Sequence, residues 1–582
     1  MNKSLSELDF SPESIPLRRS VWLIYFCAAA ILLVLLGYQP LLSNEGECAE
    51  SIRILLDGGD IFAPDRQTDI FSQRWLGRVQ ALAAMVMGES EFSWRFMSII
   101  PALLLLGGTM LLADDIFGRR EMCCAGWMLI GSYGFIYWGR NASNFIFLAA
   151  WCVWCAVILN RNNISFLLRT IFFLLFFTGT CWWGICFLLA MPGIMLAFYP
   201  GWKKDFLRIS SIGAMVLALV LTAAVLFGLL WHPEIRIADY PCRIGRQFIN
   251  SFQESLHLVS WTEYGIFGRY RGLLNLLRLL FPWSLPALYA LWVMCRNFRE
   301  LPGKHKMFTA GILLLMIMSG IFSARRWQYQ LCQVPFFLII CAGTITGNLI
   351  TGKYQEMVDS VMRWSASLVG SFAATVFVIW PLWDMIFQGP MPGWIVCGIP
   401  VLGLLALGFL IFDTGAASAV EKVSGMQGRW SGYILSWVCL NTAIFAVGSS
   451  ALGIYRTGKP FWETCGGLAQ SFQPSEVIFA GDVPNRQSLC YMKMNGTPVY
   501  AGNVNELKAV LEKNLSGKAL IILRNRDFET AQNIWCAAGW ECPLQKPSAT
   551  EEGQIRIIGT ENLADDFSAY NIVRKKLVNE LK

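Results

Sequence analysis

A polytopic α-helical membrane protein of about 13 spans, closed by a soluble α/β domain, is the fold class this sequence predicts. Three observations predict it. The 582 residues are 55% hydrophobic and 15% charged, with a mean hydropathy of +0.47, whereas soluble domains carry roughly 25% charged residues. The apolar residues fall in runs that approach the ~20 needed to cross ~30 Å of hydrocarbon. After residue 455 the composition changes, and short β-like runs alternate with amphipathic helical patterns.

Residues 1–20 are polar and end in Arg18-Arg19, which places the N-terminus in the cytoplasm. The run from Val21 to Tyr38 follows with no small-residue cleavage site, so it reads as a retained span. Further runs begin at Phe96, Met122, Phe145, Ile164, Trp183, Ile209, Leu273, Phe308, Leu331, Ala366, Trp394 and Tyr433. They define a transmembrane domain over 21–454 with external loops at 39–93 and 231–272. Lys and Arg cluster in alternate loops, as at Arg119-Arg120, Lys203-Lys204 and Lys304 with Lys306, which marks those loops as inner. An odd number of spans puts the tail, 455–582, outside with the loop at 39–93. In the tail, Val477–Ala480, Pro498–Tyr500, Ala519–Leu523 and Ile555–Ile558 read as strands; Asn505–Asn514 and Phe528–Ala538 read as helices.

Several function classes fall away. Three histidines, scattered at His232, His257 and His305, offer no zinc spacing, and no metal or cofactor is expected. The net charge of +7 is spread over loops without a basic tract, so nucleic acid is not an expected partner. Most of the 18 cysteines lie inside apolar runs, where a thiol acts as a small hydrophobe. Cys536 and Cys542, in the tail, are placed to pair in an oxidising compartment. A transporter would show ionisable groups inside the spans or repeated broken helices, and the runs are nearly free of charge.

Two kinds of external segment carry candidate chemistry. The first is the polar stretch from Ser43 to Pro64, where Cys48, Ile52, Leu55 and Leu56 recur at helical spacing. Asn44 or Ser43 can cap this helix, and Gly58-Gly59 ends it. Alone, it reads equally as an amphipathic helix lying on the bilayer surface. Its carboxylates cluster at the N-terminal end, where one could take a proton from an acceptor hydroxyl. The second kind is basic: Arg236, Arg243, Arg246, Arg269 and Arg271 in one loop, Arg325 and Arg326 in a short turn. Guanidinium forks suit bidentate contact with a lipid phosphate; binding to headgroups or pairing with Glu234, Asp239, Glu254 and Glu263 is the structural alternative.

The order of these motifs resembles the GT-C class of lipid-phosphate-sugar glycosyltransferases, in the aminoarabinose transferase and protein mannosyltransferase branch. Asn44-Glu45 stands where that branch carries Asp-Glu, and Gly59-Asp60 with Pro64 keeps its ending. Phe117-Gly-Arg-Arg120, Pro282-Trp-Ser284 and Arg325-Arg326 with Tyr329 before Pro335 match further motifs in order. The resemblance implies an inverting transferase that moves a sugar from a polyprenyl-phosphate carrier to a lipid, glycan or protein acceptor. It implies the inner membrane of a bacterium, with the tail periplasmic and membrane lipids as surroundings. Arg325, Arg326, Arg269, Arg271 and Tyr329 are then expected to hold the phosphate. Two family acids are replaced, by Asn44 and by Asn144 after Gly139-Arg140. Ser72 and Gln73 stand where an acid and a lysine are usual, and the lysine expected near Trp182-Trp183 is absent. An amide cannot accept a proton near neutral pH. The base is therefore expected to be Glu45, then Glu47, then Asp65 or Asp69. The alternatives are an inactive relative that binds the donor without turning it over, and a transporter of lipid-linked sugar.

Overall fold

The computed structural model describes residues 14–37, 71–142, 145–161, 165–183, 185–198, 209–230, 265–319, 330–345, 393–412 and 431–448 of the apolar region. In the tail it describes 465–467, 476–480, 499–501, 504–513, 518–524, 527–538, 540–541 and 567–574, with Glu45, Ile52 and a few other single residues besides. The chain forms two compact units. The first comprises Met1–Leu36, Ile54–Phe377 and Cys397–Val447; the second comprises Gly37–Arg53, Val378–Val396 and Gly448–Lys582.

The first unit is helical. Its described helices are α1 (Ser14–Leu33), α2 (Phe71–Met87), α3 (Glu91–Ile116), α4 (Arg119–Ile130), α5 (Tyr133–Gly139), α6 (Phe145–Leu159), α7 (Phe166–Trp183), α8 (Ile185–Phe198) and α9 (Ile209–Leu230). They continue as α10 (Gly265–Leu280), α11 (Ser284–Arg296), α12 (Gly303–Ser319), α13 (Val334–Ile345), α14 (Gly393–Phe412) and α15 (Ser431–Asn441), which runs on as a π-helical turn, Thr442–Gly448. Among the described residues, α3 and the stretch 431–448 are long and apolar enough to cross a membrane. The pair α10 and α11 passes that test together but bends by 114°, and seven further apolar helices are shorter. The run at Ala366 lies almost wholly outside the described residues.

Sequence explains the helix ends. Ser90 caps α3, accepting from the Ser93 N–H while the Ser93 hydroxyl accepts from the Ser90 N–H, so two orphan donors are satisfied at once. The turn between α3 and α4 needs Gly118, whose φ of 125° is strained for any side chain. Small residues set the helix spacing: a Cβ at Gly311 of α12 would come within 2.5 Å of the Gly193 carbonyl on α8. Membrane helices associate through such close backbone approach.

Two apolar runs that the sequence presents as single spans are broken helices. The run from Met122 to Trp138 breaks at Gly131-Ser132, between α4 and α5; the run from Leu273 to Met294 breaks at Phe281–Trp283, between α10 and α11. Each break supplies what the other lacks. The Tyr133 N–H donates to the Phe281 carbonyl at 2.8 Å. The Trp283 indole donates to the Met128 carbonyl at 2.7 Å, and the Asn441 amide donates to the Gly131 carbonyl at 2.6 Å. Away from water, irregular backbone survives only where protein groups satisfy it in this way. The α10 helix also begins at Gly265, so residues 265–272 are helix rather than loop.

The second unit holds a five-stranded sheet of order β2-β1-β3-β5-β4. Its strands are β1 (Glu476–Ala480), β2 (Val499–Ala501), β3 (Lys518–Arg524), β4 (Trp540–Glu541) and β5 (Phe567–Arg574). β1 pairs in parallel with β2 and β3, and β5 runs antiparallel between β3 and β4. One face, Ile478, Ala480, Ala519, Ile521 and Leu523, packs against Leu507 and Leu511 of α16 (Leu507–Lys513) and Ala531 and Trp535 of α17 (Phe528–Ala537). Phe479, Leu520 and Ile522 on the other face are buried as well. Burial on both faces is why Ala519–Leu523 reads as an unbroken apolar run. Cys536 is an exposed free thiol beside buried Trp535, which corrects the expectation of a bridge to Cys542; Cys542 lies outside the described residues.

Candidate functional site

The crossing of the two broken helices fixes a cation. Arg278 is the last-turn base of α10, where a positive charge also complements the helix C-terminus. Its guanidinium lies 5.2 Å from the centre of the Tyr133 ring, and Nη2 donates to the Tyr133 hydroxyl at 3.1 Å. Tyr133 is stacked on Tyr137 at 5.1 Å and meets the edge of Phe445 at 4.6 Å. The Tyr133 side chain is buried while Arg278 is exposed. One edge of the fork is thus held by an aromatic platform, and the residue as a whole is exposed. Such a group can take an anionic oxygen from outside the protein.

A second pair of cations is buried. Arg140, the C-cap of α5, donates through Nη1 to the Ile31 carbonyl at 2.7 Å and to the Val34 carbonyl, and through Nη2 to the Ala446 carbonyl at 3.1 Å. Arg95 of α3 donates to the Leu36 carbonyl at 3.0 Å. Burial, and then the positive charge of Arg95, push Arg140 down to about 9, which leaves it charged at neutral pH. Next to Arg140, the Asn141 side chain is fully buried, and among the described residues neither its oxygen nor its nitrogen has a hydrogen-bond partner.

The residues singled out in the sequence are distributed as follows. Glu45 is helical, fully buried and part of the second unit. Arg269 and Arg271 belong to α10 in the first unit, and Arg271 precedes Arg278 by two helical turns. Asn44, Glu47, Asp65, Asp69, Asn144, Arg325, Arg326 and Tyr329 lie outside the described residues. Among the described residues no group of three or more His, Cys, Asp or Glu side chains could hold a metal ion. Arg278 and Tyr133 were missed by sequence reasoning because both fall inside predicted spans. A signal was present: Arg278 is the one charged residue between Leu273 and Met294, and an ionisable group within an apolar run is a site candidate by default.

No protein-family model matches this sequence, and no curated protein matches it. Solved structures do match in fold. The crystal structure of ArnT from Cupriavidus metallidurans bound to undecaprenyl phosphate superposes with a TM-score of 0.61 at 13% identity, covering 95% of this chain and 97% of that one. The apo structure of the same protein gives 0.60 at 14% identity over the same shares. The chain therefore has the fold of ArnT along nearly its whole length.

Proposed function

We propose that the protein is an inverting glycosyltransferase that uses a polyprenyl-phosphate-linked sugar as donor. The observation that carries the reading is the exposed Arg278 guanidinium, seated on Tyr133 at a break in two helices of this fold. Discontinuous helices are where membrane proteins build ligand sites. A fold alone hosts many functions; a cation on a rigid platform narrows them to those with anionic ligands. The ArnT structure with undecaprenyl phosphate is of the same fold.

In the proposed reaction an acceptor hydroxyl attacks the anomeric carbon. The new C–O bond forms as the bond from that carbon to the phosphate oxygen breaks, with inversion. The hydroxyl proton passes to a carboxylate, for which Glu45 is the first choice and Glu47 the next. Polyprenyl phosphate departs as the anion, its charge neutralised by guanidinium groups: Arg278, with Arg269, Arg271, Arg325 and Arg326, and Tyr329 as a further hydrogen-bond donor. The acceptor is a lipid, a glycan or a protein at the outer face of a bacterial inner membrane, with the N-terminus cytoplasmic and the tail periplasmic. Membrane lipids surround the site, and no metal takes part in the proposal.

A second reading has its own support: Asn44 and Asn144 are amides at both positions where the resemblance to the GT-C branch implies lead acids. On that reading the protein binds the donor and leaves it intact. Incubating the full-length protein with a radiolabelled polyprenyl-phosphate sugar separates the two. Release of free polyprenyl phosphate, lost in Glu45→Gln, supports transfer by Glu45. Binding without release, at any enzyme concentration, establishes the second reading.

A further inference from the structure

We infer that Arg140, with Arg95, is a positioning residue: a clasp that holds together two of the three points at which the chain leaves the first unit, those after Leu36 and after Val447. Leu36 is the last residue of that unit before the segment Gly37–Arg53, which carries Glu45. Val447 is its last residue before Gly448–Lys582. The clasp closes on both joints. Arg140 bonds the Ile31 and Val34 carbonyls on one side and the Ala446 carbonyl on the other, and Arg95 bonds the Leu36 carbonyl itself.

Neither guanidinium can serve a ligand directly. Arg95 is 0% exposed and Arg140 1%, so no donor phosphate reaches them. Their cost of desolvation is instead offset by carbonyls at helix ends, which need donors and lie at the negative pole of the dipole. The planar fork is the reason for arginine here: Nη1 and Nη2 point at acceptors on two separate helices, which an ammonium cannot do with the same fixed geometry. Leu35 adds an independent sign of constraint. Its φ of 56° is left-handed in a residue without glycine's freedom. Such a conformation persists where the surroundings over-determine it, and the carbonyls immediately before and after it are the ones that Arg140 and Arg95 hold.

The inference rests on the proposed transfer only for its rate readout, and the test keeps the two apart. Full-length protein in nanodiscs is compared with Arg140→Gln and Arg140→Lys by hydrogen–deuterium exchange, by donor binding and by single-turnover transfer. A charged hydrogen-bond network lost at both joints is expected to raise exchange at 31–37 and at 443–448 together by about tenfold or more in Arg140→Gln. Donor affinity stays within about twofold while transfer falls about tenfold or more, since positioning acts on the reacting geometry rather than on binding. Arg140→Lys restores protection at one joint but not both. If Arg140→Gln does not fold, the Lys variant alone decides: both joints as protected as in the parent overturns the clasp. Loosening confined to one joint in Arg140→Gln also overturns it, as does an unchanged transfer rate in an active parent. A parent that releases no polyprenyl phosphate defeats the transferase reading, and the exchange data still decide the clasp.

Discussion

Burying a guanidinium is costly unless its N–H groups find acceptors, and the structure handles its arginines in two ways. Arg140 and Arg95 are enclosed and bonded to backbone; Arg278 is anchored on Tyr133 and left accessible. This difference sets distinct expectations. Arg278→Gln should weaken donor binding by about ten- to a hundredfold, because a hydrogen bond to a charged group is worth about 1.5–3 kcal/mol. Tyr133→Phe, which keeps the ring and removes the hydroxyl, should weaken it by less than about tenfold. Isothermal titration with a polyprenyl phosphate checks both. His305, in the first turn of α12, gives a pH signature. Burial lowers its pKa below 6.5, its bond with the Ile116 carbonyl opposes this, and Lys304 lowers it further. Unfolding then exposes a group that binds protons more readily. Its contribution is fully present above pH 6.5 and is lost as pH falls below that. Thermal unfolding between pH 8 and pH 5.5 should show a decline that is shallower in His305→Asn. At this scale the sequence was informative about residue types but not about partners. Arg140 stood in a recognisable Gly-Arg step, yet its three acceptors lie 106 to 306 positions away.

Among the elements, the crossing of α8 and α12 at Gly193 and Gly311 shows how backbone contact replaces hydrophobic driving force in lipid. Gly311→Val has no room and should lower the stability of the detergent-solubilised protein by about 1–3 kcal/mol, as overpacking does. Gly303→Ala, at the start of the same helix with open space beside it, should leave the melting temperature within about 1 °C. Hydropathy located many helix starts well: the apolar runs that begin at Phe145 and Ile209 are the helices Phe145–Leu159 and Ile209–Leu230. It failed at Gly131-Ser132 and at Phe281–Trp283, because a run of apolar side chains continues across a break in the backbone. What changes there is the hydrogen-bond ladder, repaired from another helix, and no local pattern reports a partner so distant. In the tail, the strands at Val477–Ala480 and Ala519–Leu523 and the helix at Phe528–Ala538 were legible to within a residue or so. Phe567–Arg574 was not: its polar and apolar residues mix Ser568 and Asn571 with Tyr570 and Ile572, and only its pairing with β3 makes it a strand.

For the molecule as a whole, the division of the chain could not be read from order along the sequence. Gly37–Arg53 clusters with Gly448–Lys582, some 400 positions later. The charge pattern nevertheless makes a testable statement about sides. Cys536 in α17 and Cys295 at the end of α11 are both exposed thiols. The proposed orientation puts Cys536 outside and Cys295, next to Arg296, inside. In a variant retaining only these two cysteines, a membrane-impermeant maleimide applied to spheroplasts should label Cys536 alone; labelling of Cys295 first would reverse the orientation.

The strand order of the tail makes one segment answer for two neighbours. Phe567–Arg574 follows both β3 and β4 in the sequence yet lies between them, and among the described strands β4 pairs with it alone. Without this segment β3 would present a raw edge and β4 would have nothing to lie against, and an unpaired edge is a template for adhesion to other chains. Keeping the tail from sticking to its neighbours therefore falls to a stretch that no local pattern marks as a strand.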